Sequence, residues 1–330
     1  MRTVRWGILG TGGIARTFVD GLGPMPEAEV LAVGSRSEAS AAAFAGERGI
    51  PRQYAAYEHL AADPDVDVVY VATPHPFHAE NVELCLRAGK AVLCEKPFSV
   101  NAAEAENVVE LARDRGLFLM EGMWTRFFPL MEEVRRLVSD GTVGEVKMLN
   151  VDFGFRADLD PASRLFDPAL GGGALLDVGV YCVSFASMVL GRPTRALGLS
   201  HLGETGVDEQ ASIVLEHEGG SLANLSIGTR TATPQEATIM GTGGYVRIHS
   251  PWWRPKSMTV SRPGADDETI EAPVSGNGFG YEAAEVMACL ERGVTESAVM
   301  PLDETVAVMR TMDGLRAAWG LVYPSEKTQS

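Results

Sequence analysis

The run VRWGILGTGGIA, Val4 to Ala15, is the feature that most limits what this chain can fold into. Its first half is apolar without alternation, as a strand covered on both faces must be, and it ends in a G-x-G-x-x-A pattern filled by Gly10, Gly12 and Ala15. Each small residue has a physical task at that spacing. Gly10 permits a tight turn, Gly12 lets backbone approach an anion closely, and Ala15 lets the following helix pack tightly on the strand. With Gly13 and Ile14, the first turn of that helix offers N–H groups that have no partner within the helix. A Gly-rich turn alone is unremarkable. This one opens a series of strand–helix units, and in that position it predicts a dinucleotide site.

The series continues with β-rich runs at Val30 to Arg36, Val66 to Thr73, Ala91 to Lys96 and Leu117 to Gly122, separated by helical patterns over Glu38 to Gly49, Phe77 to Ala88 and Ala102 to Arg115. Strand, helix, strand in this order predicts an α/β class, an N-terminal Rossmann-type doubly wound parallel sheet over residues 1–123. After Trp124 the texture changes. A helix from Pro129 to Ser139 leads into period-2 runs at Val146 to Phe155, Thr194 to Leu202, Gln210 to Glu216, Leu222 to Thr229, Glu236 to Met240, Tyr245 to His249 and Lys256 to Val260. That predicts a C-terminal α+β domain with a mostly antiparallel sheet, interrupted by an apolar helix over Gly171 to Gly191 and followed by helices near Tyr281 to Arg292 and Asp303 to Trp319.

The second strand ends in Gly34-Ser35-Arg36-Ser37, where a site for NAD usually has Asp or Glu to hold the ribose 2′-OH. A carboxylate there would repel a 2′-phosphate, whereas Arg36 attracts one and Ser35 and Ser37 can donate hydrogen bonds, so NADP is expected over NAD. A solvated turn arginine is the plainer reading. The 330 residues carry 28 basic against 44 acidic side chains, a formal charge of -16 without long like-charge runs, which excludes an electropositive nucleic-acid face. Cys85, Cys94, Cys182 and Cys289 form no CxxC pair and lie in apolar runs, so reduced thiols in a cytoplasmic setting are expected and no metal site is. The chain starts directly in a strand-like run, and no apolar stretch looks long and uninterrupted enough to cross a bilayer.

Glu95-Lys96-Pro97 closes the fourth of the runs, putting Lys96 where parallel sheets of this kind bind ligands. Together with VATPHPFHAE (Val71 to Glu80), EGMWTRFFP (Glu121 to Pro129) and GGGALLDVGVY (Gly171 to Tyr181), it resembles the glucose-fructose oxidoreductase / inositol dehydrogenase family, Gfo/Idh/MocA, from residue 4 to about residue 320. The resemblance implies a Rossmann domain, a second domain over residues 124–300 whose large open-faced sheet binds substrate and forms the interface of a homodimer or homotetramer, and a closing helix over 301–330 that returns to the nucleotide domain. It also implies that Lys96 is catalytic, with the acidic and final residues of a D-x-G-x-H pattern. Here Asp177 and Gly179 match, but the last position is Tyr181, as in the branch that holds dimeric dihydrodiol dehydrogenases and NADP-dependent D-xylose dehydrogenases.

Residues four apart on a helix share a face, so Asp177 and Tyr181 are expected to project together from an otherwise apolar helix, with Ser184 one turn on. Both are expensive to bury unless paired. A core aromatic and a satisfied carboxylate would fit the pattern too. With Lys96, the reading becomes hydride transfer between a nicotinamide and a carbinol or carbonyl carbon of a sugar, cyclic polyol or trans-dihydrodiol: Tyr181 moves the hydroxyl proton, Lys96 stabilises the phenolate, and Asp177 orients. Inositol or anhydro-sugar turnover with NAD, or a non-catalytic sugar sensor, are the alternatives. Thr73, Pro74, His75, His78 and Glu95 are expected on the cofactor side, and Trp124, Arg126, Phe127, Phe153, Arg156 and Arg164 in the substrate wall, although aromatic and arginine pairs there also suit interdomain packing or plain surface. The Trp252-Trp253 pair is left open between loop, core and subunit contact.

Overall fold

The structure, a computed structural model, describes residues 2–327; residue 1 and residues 328–330, which the expected first and last segments include, lie outside the described residues. The chain divides into two compact units. The first runs up to Trp124 and takes in Ser275–Val306, and the second holds Thr125–Val274 and the residues from Ala307 on.

In the first unit, β1 (Val4–Leu9), α1 (Gly13–Leu22), β2 (Ala28–Gly34), α2 (Glu38–Arg48), β3 (Arg52–Tyr54), α3 (Tyr57–Ala61), β4 (Val68–Val71), α4 (His78–Arg87), β5 (Ala91–Glu95), α5 (Ala102–Arg115) and β6 (Leu119–Gly122) follow the expected alternation. The six strands are parallel in the order β3-β2-β1-β4-β5-β6. Strand order reverses between β1 and β4, which opens a crevice at their carboxyl ends. The sequence reading missed β3. Its three residues, Arg-Gln-Tyr, have no apolar run to betray them, and they are held by pairing with β2 and by the bonds from Arg52 to Asp63 and Asp65. Helix ends follow local chemistry: Asn101 caps α5 by accepting from Glu104 N, and Gly116 closes it at φ +61°.

The second unit contains α6 (Pro129–Ser139), β7 (Val146–Gly154), α7 (Val180–Leu190), β8 (Pro193–Leu202), β9 (Asp208–His217), β10 (Leu222–Gly228), β11 (Ala237–Gly241), β12 (Gly244–Ile248), β13 (Ser257–Ser261) and β14 (Glu268–Glu271). These strands form one sheet, β14-β13-β12-β11-β7-β10-β9-β8, antiparallel except where β7 meets β10. The alternation in β9 has a plain cause: Ala211, Ile213 and Leu215 face the core while Gln210, Ser212 and Val214 face out. The outward face is more apolar than a solvent face requires. Leu197 pairs with Val214 and Leu222 with Met148, and Leu199 is 84% exposed.

Two sequence expectations need correction. The segment Pro168–Leu190 is long and apolar enough to cross a membrane by composition, but most of it is buried in this fold and it is broken into successive turns of different pitch. The domain boundary expected at residue 300 also moves. The helix α8 (Phe279–Arg292) belongs to the first unit because Phe279 stacks on Trp124 at 4.4 Å and meets Phe18 edge-on, while Asn277 Nδ2 donates to Thr17 O at 2.6 Å. The closing helix α9 (Leu302–Trp319) begins in that unit, but from Ala307 it counts with the second, as does α10 (Pro324–Lys327). Trp319 Nε1 donates to Gly198 O and Tyr323 Oη to Gly172 O, so the end of the chain is tied into the second unit. Periodicity located these helices and could not say which core each joins.

Candidate functional site

In the first unit the glycine pattern forms an open turn at the start of α1. Gly10 sits at φ +111°, and a Cβ there would come within 2.7 Å of Ala72 O, so close packing at the end of β4 requires glycine. At Gly12 and Gly13 a Cβ would meet nothing within 4 Å; both are exposed, and Gly12 brings no side chain to cap the first N–H groups of α1. Helix N–H groups facing open space fit a pyrophosphate. Ala15 is fully buried, as close helix packing needs, while Ile14 lies exposed at the helix start.

Beyond β2 and β4 lies a cavity of about 450 Å³, whose lining includes Arg36, Tyr57, Thr73, Pro74, Phe77 and Glu80. Of the residues lining it, Arg36 alone is basic, and its guanidinium lies 5.3 Å from the centre of the Phe77 ring. Ser35 and Ser37 shape the turn that carries it: Ser35 Oγ accepts from Ser37 N, and Ser37 Oγ caps α2 by accepting from Ser40 N. Burial pushes the Tyr57 phenol up, and the neighbouring Arg36 cation partly offsets that. Tyr57 and Phe77 were not singled out from sequence. They announce themselves only as ordinary aromatics at helix starts.

His75 and His78 were expected to face the cofactor, and both are buried. His78 has no exposed surface; Nδ1 lies 2.8 Å from Pro97 O and Nε2 2.7 Å from Thr73 O, so it ties the β4 turn to the segment after β5. Burial pushes its pKa down, against the two carbonyls that favour the proton. It is a structural tie. Lys96 is half-buried at the end of β5, where its N–H donates to Glu95 Oε2 at 3.2 Å. Glu95 is buried and accepts from the Tyr70 hydroxyl through its other oxygen, which places it beneath the crevice rather than on its surface. Near it Glu282, fully buried with no hydrogen-bond partner for either oxygen, is pushed well above the usual carboxylate range by burial and by the Glu95 charge.

In the second unit Asp177 and Tyr181 are brought together, but not by the plain α-helix the sequence suggested. Leu175–Gly179 is one turn of π-helix that passes into α7 at Val180. Gly179 allows it to settle on the sheet, since a Cβ there would lie 2.9 Å from Ile227 Cδ1 and from Leu175 Cδ1. Asp177 is buried and its Oδ1 accepts from Arg164 Nη1 at 2.7 Å, while the Arg164 side chain stays 58% exposed. Arg164 therefore holds the carboxylate, a pairing the sequence did not foretell. Tyr181 is 8% exposed with its ring 5.4 Å from Phe153, which stacks parallel on Trp253 at 5.2 Å. Trp253 Nε1 donates to Gln235 Oε1, and Gln235 N donates to Asp152 Oδ2, so the aromatic row is fixed from behind.

The remaining expected wall residues divide. Arg126 is 3% exposed and bonds Ser184 through Nε to Oγ and Nη2 to O, which makes it a tether for α7 rather than an exposed wall. Trp124 belongs to the first unit, stacked on Phe279; Phe127 is half-buried in the turn Trp124–Phe127; Arg156 is exposed beside an isolated bridge to Arg230.

A parallel sheet in this order, with a glycine turn at the carboxyl end of its first strand and a cavity beside the ends of β2 and β4, defines a Rossmann-type dinucleotide fold. Residues 4–123 match the oxidoreductase family with an NAD-binding Rossmann fold, GFO/IDH/MocA, and residues 131–247 match the GFO/IDH/MocA C-terminal domain. Trans-1,2-dihydrobenzene-1,2-diol dehydrogenases from Bos taurus and Homo sapiens are 39% and 40% identical to the chain, in each case over 98% of it and 99% of the relative. Among solved structures, an aldose-aldose oxidoreductase from Caulobacter crescentus superposes with a TM-score of 0.87 at 26% identity, covering 98% of this chain and 100% of that one. A 3-ketoreductase from Actinomadura kijaniata crystallised with NADP and TDP-benzene superposes at 0.85 with 27% identity, covering 96% and 98%. The chain belongs to the Gfo/Idh/MocA oxidoreductase family.

Proposed function

We propose that the protein is an NADP-preferring dehydrogenase of a trans-dihydrodiol or a related cyclic or sugar carbinol, with Tyr181 as the acid/base. Identity of 39–40% over nearly the whole chain to dihydrodiol dehydrogenases is the observation that carries the substrate class. The flat Phe153–Trp253 stack beside Tyr181 supports an unsaturated ring over a fully hydroxylated sugar. A bound nicotinamide supplies the hydride acceptor or donor. Tyr181 takes the hydroxyl proton in oxidation and returns it in reduction. A phenol titrates near 10 in water, so it needs a cation to act at neutral pH, and Lys96 fills that role. Asp177, fixed by Arg164, orients the substrate hydroxyls. Solved forms of the 3-ketoreductase include a lysine-to-alanine and a tyrosine-to-phenylalanine variant, at positions separated along their chain as Lys96 and Tyr181 are here to within one residue. Arg36, the lone cation of the nucleoside cavity, favours a 2′-phosphate and hence NADP.

The apolar outward face of the second sheet supports a homodimer, and four buried free cysteines suit a reducing cytoplasm. Light scattering of wild type and Leu199→Glu tests the first: a dimer that becomes monomeric supports it, and a wild-type monomer sinks it. For the activity, reduced nicotinamide is followed by absorbance with NADP or NAD against trans-1,2-dihydrobenzene-1,2-diol, D-xylose, inositols and other aldoses. Turnover that drops about 100-fold or more in kcat in Tyr181→Phe supports the reading. Cofactor binding without turnover on any member, in either direction, would leave a sensor.

A further inference from the structure

We propose that Asp208 and Tyr323 are positioning residues that set the aim of the turn carrying Asp177 and Tyr181. The inference rests on Tyr181 being the acid/base. The turn emerges from Gly171, Gly172 and Gly173, a loop whose own backbone is spent holding its curve: Gly172 N donates to Asp167 O and Gly173 N to Leu165 O. Two side chains from distant parts of the second unit then grip it on either side of Gly173. From the start of β9, the Asp208 carboxylate reaches beneath the loop, and Oδ2 accepts from Leu175 N, the first residue of the π turn, at 2.7 Å. Its Oδ1 has no hydrogen-bond partner and occupies the space that a Cβ on Gly173 would need. This explains the glycine, at φ +118°, better than chain flexibility does. From the other end of the chain, Tyr323 Oη donates to Gly172 O at 2.7 Å.

Tyr323 is itself clamped. It is fully buried, the Arg316 guanidinium lies 5.0 Å from its ring centre, and Arg316 is bound by Asp313 and by both oxygens of Glu326, whose Oε2 also accepts from Tyr323 N. From this network the Tyr323 hydroxyl reaches out to the glycine loop. A π turn is less favourable than α-helix, so it persists where its surroundings over-determine it. Loss of either grip lets Leu175–Gly179 relax toward α-helix, which rotates Asp177 away from Arg164 and turns Tyr181 against Phe153. Burial pushes the Asp208 carboxyl up to about 7, so Asn is a close stand-in that still presents an oxygen to Leu175 N.

The test compares wild type, Asp208→Asn, Asp208→Ala and Tyr323→Phe in steady-state kinetics, in cofactor Kd, and by fluorine NMR of protein labelled with 3-fluorotyrosine, the Tyr181 signal being assigned with Tyr181→Phe. Asp208→Ala and Tyr323→Phe are expected to lower kcat about tenfold or more and to move the Tyr181 signal, with cofactor Kd unchanged because the cradle lies in the first unit. Asp208→Asn is expected to restore kcat and signal to near wild type. An unmoved Tyr181 signal with unchanged kcat in Asp208→Ala and Tyr323→Phe, whatever their Tm, overturns the proposal, as does Asp208→Asn failing like Asp208→Ala. Should Asp208→Ala not fold, Tyr323→Phe and Asp208→Asn decide. A wild type without turnover would count against the acid/base reading, and the Tyr181 signal would then decide the positioning role alone.

Discussion

Replacing Glu282 by glutamine removes a proton-binding group from the core of the first unit, and its effect on stability depends on pH through burial and the neighbouring Glu95 charge. The Glu282 side chain has no exposure and neither oxygen has a hydrogen-bond partner, while Glu95 adds a like charge nearby. Its pKa in the folded protein therefore lies well above the ordinary 4.5. The folded state therefore keeps the proton at pH values where the unfolded state has already released it. A carboxyl with a raised folded pKa gives its full share of stability below the unfolded value and loses it as pH rises toward the folded value. Between those two values the loss runs at up to about 1.4 kcal/mol per pH unit. Glutamine does not titrate. The stability of Glu282→Gln minus that of wild type should thus climb as pH rises above the ordinary carboxyl value, by up to about 1.4 kcal/mol per pH unit, on top of any constant packing term. The other titrating groups are common to both proteins and cancel, apart from Glu95, whose titration is linked to that of Glu282. Guanidinium denaturation of the pair at pH 5, 6, 7 and 8 measures it. A difference that stays flat across that range would show that folding does not raise the Glu282 pKa, and the reading of a carboxyl pushed up by burial and by Glu95 would be wrong.

Other consequences are simpler to check. Arg36→Ser should raise the Kd for NADP about 10-fold to 100-fold, the worth of a charge-assisted contact, and leave NAD within about 3-fold, as read by fluorescence titration. Equal losses for both cofactors would mean that Arg36 shapes the cavity instead of reading the phosphate. Gly179→Ala puts a Cβ 2.9 Å from the buried side-chain ends Ile227 Cδ1 and Leu175 Cδ1, and overpacking of about 1–3 kcal/mol less the roughly 1 kcal/mol that alanine gains over glycine inside a helix should leave a modest net loss in thermal or chemical denaturation. His78→Leu removes the bridge between Thr73 O and Pro97 O, and cofactor affinity should fall through disorder of the cradle's edge; unchanged affinity together with unchanged Tm would refute that tie.

The residues proposed for the cofactor could be picked out from the sequence because their chemistry is local. Gly10, Gly12 and Ala15 act through backbone at fixed spacing, and Ser35-Arg36-Ser37 directly follows the strand whose end it decorates. What escaped was supplied by other segments. Tyr57 and Phe77 enter the cavity only because α3 and the β4 turn are folded beside Arg36. His78 reads as a ligand-side histidine until both its nitrogens are seen to face carbonyls, and Arg126 reads as a pocket wall until Ser184 is found under its guanidinium. Trp253 could not be placed without β7 to stack it on Phe153.

Periodicity determined the order and kind of most elements, since whether a segment is covered on one face or two is written in which residues alternate. The two sheets, the glycine cradle and the pairing of Asp177 with Tyr181 on one helical segment followed from that. The tertiary structure decided the rest, and each case has the same physical cause. A π turn in place of an α turn, Arg164 on Asp177, a Glu282 carboxyl pushed up by burial and Glu95, and the allotment of α8 to one core and the chain's end to another all depend on groups far apart in sequence meeting at a few ångströms. Local propensity sets which backbone shapes are cheap; desolvation and long-range contact choose among those that differ by only a few kcal/mol.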